Sequence, residues 1–430
     1  MPTITLSPVS PTPGSVVNVI GSGFANYKTR LKLDGAGATT NVFRPKKDGS
    51  FQVGITVSST PKTQTLTSEQ YRSTWIQVTS QTFVVANVVT LPPPDPIPGP
   101  MPVGGDPSIR GVQTIVYKTP NATVSGTTLT ALQAARDAAG VGGVIRVPAG
   151  TYPTLPLTVS GQLWQLDAGA VILNQILPTT NKITVEGGEI RGGIWLAINS
   201  NAHDFHLQNV KFRNNGWTNE SRSGLVVKNC DFQQIPGDFG RLFYDSTAHL
   251  DVYGLVIENN YCVRTSYSVN GVAAFSGHDG GGRKIYDPIL RNNYIDNGAD
   301  VGQGPGGLGA FGGFEIWGTV RQINEYNEMK GGGFLNSNVR SQDGEVRFNR
   351  WFIGVQVAWA AYESGGTGTG GDKIHDNETI GDPARNGVMI TTSTPDPIKT
   401  VEVYNNKYRG VKLTSNTSAP GYNFHDNIAF

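Results

Sequence analysis

A six-residue pattern, apolar-any-Asn/Asp-Asn-any-apolar, recurs through the C-terminal two thirds of the chain at intervals of 20 to 33 residues. Its clearest copies are Leu290-Arg-Asn292-Asn293-Tyr-Ile295 and Val403-Tyr-Asn405-Asn406-Lys-Tyr408, with weaker copies at 207–212, 227–232, 257–262, 346–351, 374–379 and 424–429 and a degenerate one at 323–328. Between many of them lies a second unit, Gly-apolar-any-apolar, as in Gly193-Ile-Trp-Leu196, Gly313-Phe-Glu-Ile316 and Gly410-Val-Lys-Leu413. Alternation with period two predicts strand, and asparagine tolerates the left-handed backbone that a sharp corner needs. A repeat this short cannot bury its own apolar face and must stack on its neighbours, so the pattern predicts a solenoid.

Composition agrees with an all-β chain rich in turns: of 430 residues, 55 are Gly and 26 Pro, and 37% are hydrophobic. A net charge of +1 supplies no overall field for nucleic acid or an acidic membrane, so neither is expected as a partner. No stretch reaches the length of a membrane span, and the opening Met1-Pro-Thr-Ile-Thr-Leu lacks the basic start and apolar core of a signal peptide. Cys230 and Cys262 fall in neighbouring copies of the turn, as two buried thiols or as a disulfide. No metal site or cofactor is expected.

Residues 1–90 alternate apolar and polar positions between turn signals, as a small β-sandwich does. The stretch Pro13-Gly14-Ser-Val-Val-Asn-Val-Ile-Gly21-Ser-Gly23-Phe24, followed by Asp48-Gly-Ser-Phe51, resembles the immunoglobulin-like IPT/TIG family, which implies a docking or spacer domain without chemistry of its own. Residues 91–104 are proline-rich and predict a semi-rigid linker. Beyond it, Thr130-Ala-Leu-Gln-Ala-Ala-Arg-Asp-Ala-Ala139 reads as a short helix with a threonine N-cap and Gly140 as its stop, leading into Gly142-Gly-Val-Ile-Arg-Val-Pro148-Ala-Gly150-Thr-Tyr152. This combination resembles the opening of pectate-lyase-like right-handed parallel β-helices, including the pectate lyase 3 type and phage tailspikes, and the likeness extends over 105–430. The expected fold is therefore an N-terminal immunoglobulin-like β-sandwich, a Pro-rich linker and a right-handed parallel β-helix capped by a short helix. At roughly 25 residues per turn the coil makes on the order of 11 turns.

In the Gly-apolar-any-apolar strand the third and fifth positions point outward. That places Trp195, Phe275, Glu315, Trp317, Met389 and Lys412 among the outward residues, with Glu315 as the one carboxylate. Glycoside hydrolysis needs two carboxyl groups ~5 to 10 Å apart. Loops after the strands offer Asp279 and Glu363, so Glu315, Asp279 and Glu363 are the candidate acid and base residues; the competing reading makes Asp279 a turn former and Glu315 a solvated strand residue. A lyase would draw on His278, Arg283 or Arg340. Neither the calcium-binding aspartates of pectate lyases nor the paired aspartates of polygalacturonases are recognisable. Trp195, Phe275, Trp317, Trp359 and Tyr362 fall on or beside the exposed strand face, where aromatic rings stack on sugars or make subunit contacts. Trp351, at the apolar end of a turn copy, belongs to the core.

The resemblance to tailspikes and the missing leader point to a bacteriophage virion surface protein, a tail adhesin or a capsid decoration protein presenting a rigid rod to host surface polysaccharide. The expected partners are other virion proteins, through the N-terminal domain, and further copies in a homotrimer. The alternatives are a depolymerase of tailspike type and a purely structural virion module.

Overall fold

The computed structural model describes residues 2–7, 16–25, 29–33, 45–48, 50–56, 62–71, 75–85, 101–196, 203–219, 223–233, 235, 240–242, 252–263, 275–277, 284–296, 311–331, 334–337, 341–353, 357–360, 370–381, 383, 387–391, 399–414 and 421–430. The chain divides into two compact units, Met1–Pro96 and Ile97–Phe430.

The first unit contains two antiparallel three-stranded sheets. One holds Thr3–Ser7, Val16–Ser22 and Phe51–Thr56; the other holds Thr29–Leu33, Lys62–Tyr71 and Trp75–Val85. Alternation sends Val19, Leu31, Phe51 and Leu66 inward, and Phe24 meets Phe51 edge-on at 4.9 Å.

The second unit is a parallel β-helix. Each turn lays down up to three short strands, and each strand pairs in parallel with its counterpart one turn on. The first face runs from Val144–Val147 through His206–Gln208 and Ile289–Arg291 to Tyr422–His425. The second runs from Gly150–Tyr152 through Tyr294–Asp296 to Ile428–Ala429. The third is a nine-stranded sheet from Ile194–Leu196 to Lys412–Thr414. Three further parallel strands, Val252–Tyr253, Ile285–Tyr286 and Thr319–Val320, lead into the first face. Because strand residues alternate, each face sends one register column inward. The column Leu207, Val227, Ile257, Leu290, Asn324, Val346, Ile374 and Val403 is at most 2% exposed, and Trp351 is fully buried in the parallel column of the second face.

The Asn-Asn pattern builds the corner between the first two faces, and its two residues do different work. The first residue takes the left-handed conformation, with φ of 56°, 53°, 55°, 50° and 53° at Asn209, Asn229, Asn259, Asn292 and Asn405. The second points into the coil, where Asn260, Asn293, Asn327, Asn349, Asn377, Asn406 and Asn427 form a ladder. Each side-chain N–H donates to the next side-chain oxygen at 2.9 to 3.1 Å. The same amides also donate to first-face carbonyls, Asn293 to Ile257 O at 2.8 Å for example. Cys230 occupies the ladder position one turn before Asn260: its N–H donates to Asn260 Oδ1 at 2.9 Å and its thiol to Leu207 O at 3.6 Å. Both cysteines are buried, and neither forms a disulfide. Cys262 stands in register with Phe232, two residues beyond the ladder position, so the two thiols lie in different columns.

Helix α1, Leu129–Ala139, is capped as its sequence implies: Thr128 Oγ1 accepts from Ala131 N at 3.2 Å and Gly140 ends it at φ 67°. It turns Leu132 and Ala135 into the core of the first turns.

The segment before it, residues 104–121, forms a strap along the Asn corner, running counter to the order of the turns. Gly104 N donates to Phe348 O at 2.8 Å, Asp106 N to Asn292 Oδ1 at 2.8 Å, Gly111 N to Asn259 O at 2.8 Å, Gln113 N to Asn209 Oδ1 at 3.0 Å, Lys118 N to Gln165 Oε1 at 2.8 Å and Asn121 N to Val144 O at 2.8 Å. The strap thus gives the side-chain oxygens of the corner residues Asn209 and Asn292 a partner.

Candidate functional site

On the third face, parallel pairing fixes which residues line up from turn to turn. One register column reads Trp195, Thr218, Arg241, Ser276, Glu315, Ser337, Ala360 and Thr391. Its neighbour reads Ile194, Trp217, Gly240, Phe275, Phe314, Asn336, Trp359 and Ile390, of which Ile194, Trp217, Phe275, Phe314 and Ile390 are at most 1% exposed. This second column faces the core, and strand alternation sets the first against it.

Trp195 begins the outer column and is 37% exposed. The bridge between Ile176 and Ile194 sets Leu177, 49% exposed, beside it, and Leu173 adds a third exposed apolar side chain. Large apolar side chains left in water side by side form a platform for a ring with an apolar face, as a pyranose has. Beyond the platform, register positions one turn of ~4.8 Å apart carry Thr218, Arg241, Ser276, Glu315 and Ser337. Glu315 lies between the buried Phe314 and Ile316. Among the residues of this column it is the one acid, and Arg241 lies two turns away from it.

Phe275 does not lie in the outer column. Alignment on the glycines at 271 and 313 sets it level with Trp317, whereas it pairs with Phe314. The offset is three residues, and an odd offset moves a side chain to the opposite face. Phe275 is consequently fully buried, stacked on Phe314 at 5.5 Å and on Trp217 at 6.2 Å, with Phe232 edge-on at 5.8 Å. Met389, also expected outward, is buried beside Ile390, so alternation lapses in that strand. Trp317 follows the strand Phe311–Ile316 and is half-buried. Trp359 sits in the register column of Phe314 and Ile390. Asp279, Glu363 and Tyr362, together with His278, Arg283 and Arg340, lie outside the described residues. Glu315 is thus placed by its backbone, without a described partner carboxylate.

No local pattern marks Leu177, Thr218 or Arg241, because their membership of the column depends on pairing across loops of unequal length. It also missed a second exposed aromatic stripe. Tyr253, 51% exposed, stacks on Tyr286 at 4.9 Å, and the Arg321 guanidinium lies 5.7 Å from the Tyr286 ring while pairing with both oxygens of Asp287 at 2.7 Å. The Asp287 carboxylate raises the Arg321 pKa further. That pairing already engages the stripe's one cation. Among the described residues no group of three or more His, Cys, Asp or Glu side chains is arranged to hold a metal ion.

No family model and no curated protein matches the chain. Among solved structures it aligns with the Yersinia enterocolitica family 28 exopolygalacturonase at 11% identity and a TM-score of 0.29, over 99% of this chain and 98% of that one. It aligns with the catalytic domain of a GH87 alpha-1,3-glucanase bound to tetrasaccharides at 11% identity and a TM-score of 0.33, over 99% and 91%. The catalytic unit of a GH87 alpha-1,3-glucanase from Streptomyces thermodiastaticus gives 12% identity and a TM-score of 0.26, over 100% and 88%. At these scores the likeness says nothing about activity, and the assignment of a parallel β-helix rests on the strand pairing itself.

Proposed function

We propose that the coil binds an extended polysaccharide along its nine-stranded face, parallel to the coil axis, with the Trp195 and Leu177 platform holding one sugar ring. The observation that carries this reading is the single register column that begins at exposed Trp195 and passes through Thr218, Arg241, Ser276 and Glu315. A repeating ligand is matched by repeating positions, and each turn offers a hydrogen-bonding group to the next unit along. A second reading, cleavage of that polysaccharide, is favoured by Glu315 alone, the one acid in the column; it needs a second carboxyl group, for which the loop residues Asp279 and Glu363 are the candidates.

Polysaccharide handling is common to the adhesin and the depolymerase. The phage setting, the homotrimer and attachment to other virion proteins through an immunoglobulin-like first unit are supported by the sequence resemblance only.

The test is retention in native gels cast with surface polysaccharides, together with release of new reducing ends. Trp195→Ala is expected to weaken retention about tenfold, the equivalent of ~1.4 kcal/mol, while shifting the melting temperature by no more than ~2 °C, as surface substitutions do. Glu315→Gln is expected to be retained like the wild type and to abolish any cleavage. Undiminished retention of Trp195→Ala on every polysaccharide the wild type binds would sink the proposal.

A further inference from the structure

Just before each first-face strand, one residue per turn points into the coil. Register gives this column as Ile183, Phe205, Leu225, Leu255, Pro288, Gln322, Gly344, Asp372 and Val401. The residues before and after the polar trio are buried and apolar, and Gln322 and Asp372 are each 1% exposed. Three successive turns therefore replace the apolar column with an amide, no side chain and a carboxyl.

Part of this cluster is satisfied. Asp372 Oδ1 accepts from Gly344 N at 2.7 Å and from Ser341 Oγ at 3.1 Å, and Ser341 Oγ in turn accepts from Thr319 Oγ1 at 3.0 Å. The remainder is not: Asp372 Oδ2 and both the oxygen and the nitrogen of the Gln322 amide are buried without a partner. They flank the position where Gly344 lacks a side chain. A Cβ built there would lie 2.9 Å from Asp372 Oδ1 and 3.5 Å from Gln322 Cβ. An unpaired buried amide or carboxyl costs ~1 to 3 kcal/mol, and three such atoms on the two turns that enclose Gly344 call for a polar occupant.

We propose that the coil interior at Gly344 is a water-binding site, holding one or two molecules between Gln322 and Asp372. Water matches the mixed set of groups: it donates to the Gln322 carbonyl oxygen, accepts from the Gln322 N–H, and meets Asp372 Oδ2 as donor when that carboxyl is ionised and as acceptor when it is protonated. A cation would satisfy the oxygens and be repelled by that N–H, and an apolar occupant would satisfy none of them. Partners of this number are what a buried water needs.

The deciding experiment is a crystal structure of the full chain at a resolution that shows ordered water, with a second crystal soaked in rubidium. A peak within ~2.6 to 3.2 Å of Asp372 Oδ2 and of a Gln322 amide atom, without anomalous signal after the soak, is the expected result. A Gln322 amide turned directly onto Asp372, with no peak, overturns the site; an anomalous peak overturns water in favour of a cation. Oxygen-17 relaxation dispersion gives a reading in solution. The wild type is expected to show more long-residence waters than a Gln322→Leu/Asp372→Leu double variant, which continues the apolar column, and equal counts overturn the proposal.

Discussion

Asparagine serves two roles at adjacent positions of each corner, and the structure separates them. Asn292 bears the left-handed turn while Asn293 lies fully buried in the ladder. At the turn position the requirement is conformational, and at two successive turns it is met by bulky residues: Tyr326 at φ 58° and Phe348 at φ 55°, stacked at 5.0 Å. Residues of this size rarely adopt that conformation; Asn324 pairs with Leu290 and Met329 with Ile295, so this copy runs over 324–329, one residue beyond the 323–328 read from the sequence, and it forms an ordinary turn of the coil. Asp372 is a different kind of single-residue departure. Burial, reinforced by the nearby Asp343 carboxylate, pushes its carboxyl up to about 7 despite hydrogen bonds from Gly344 N and Ser341 Oγ that pull it down. The other charged groups on the neighbouring strands, Glu345, Lys373 and Glu402, sit at register positions that alternate away from the core, and Asp343 is paired with Lys399 at 2.7 Å. Unfolded, the group titrates near its ordinary value of 3.8. Between about 4 and 7 the folded chain holds a proton that the unfolded chain has lost, so stability falls as pH rises through that window and levels off above it. Denaturant titrations across this range are expected to show that slope, reduced in Asp372→Asn; identical slopes would show that Asp372 does not titrate as described.

At the scale of elements, the ladder and the inward columns are the source of cohesion. Every ladder amide is donor and acceptor at once, so removing the Asn327 side chain leaves the buried Asn293 backbone N–H without its acceptor and takes one of the Asn293 amide's two bonds. Asn327→Leu, at the middle, is expected to cost about 2 kcal/mol or more and to lower the melting temperature. A variant as stable as the wild type would mean that the ladder's hydrogen bonds contribute nothing net. A buried ionic column runs on the outer side of the same turns. Glu325, with no exposed surface, accepts from Arg291 Nε at 2.7 Å and from Arg347 Nε at 2.8 Å, and Arg291 continues to Glu258 at 3.6 Å. The elements were largely legible in sequence. Period two marked the strands, Asn-Asn marked the corner, and Thr128 and Gly140 bracketed helix α1. What sequence could not fix was register on the third face, because the loops between its strands differ in length and glycine recurs too often to serve as a ruler. Phe275 shows the consequence, since a three-residue error exchanged core for surface. Trp195 escaped that error because its own strand alternates cleanly between the buried Ile194 and Leu196.

For the coil as a whole, the strap ties turns that are far apart in sequence. Arg110, largely buried, anchors it by donating to the backbone and side-chain oxygens of Asn292 at 3.2 Å and by approaching Glu328 at 3.5 Å; burial lowers its pKa, and Glu328 offsets that effect. The strap has room because Gly105 lacks a side chain at φ 81°, where a Cβ would clash with Asn292 Oδ1 and the Tyr326 carbonyl. Gly105→Ala is expected to lift the strap locally, speeding amide exchange at Asp106, Gly111 and Gln113 while the Asn293 to Asn377 ladder stays protected. Unchanged exchange at the strap would contradict its attachment there. Nothing in the composition of 105–121 signalled this course, since its hydrogen bonds go to residues up to 244 positions away, as from Gly104 to Phe348.

The central claim, that the nine-stranded face receives a polysaccharide, is tested most directly by a crystal structure of the protein with an oligosaccharide cut from whichever polysaccharide retains it. Sugar density stacked on Trp195 and extending along the turns of Thr218, Arg241 and Ser276 toward Glu315 is the expected result. Density confined to another surface, such as the Tyr253 and Tyr286 stripe, with the nine-stranded face unoccupied, would contradict it.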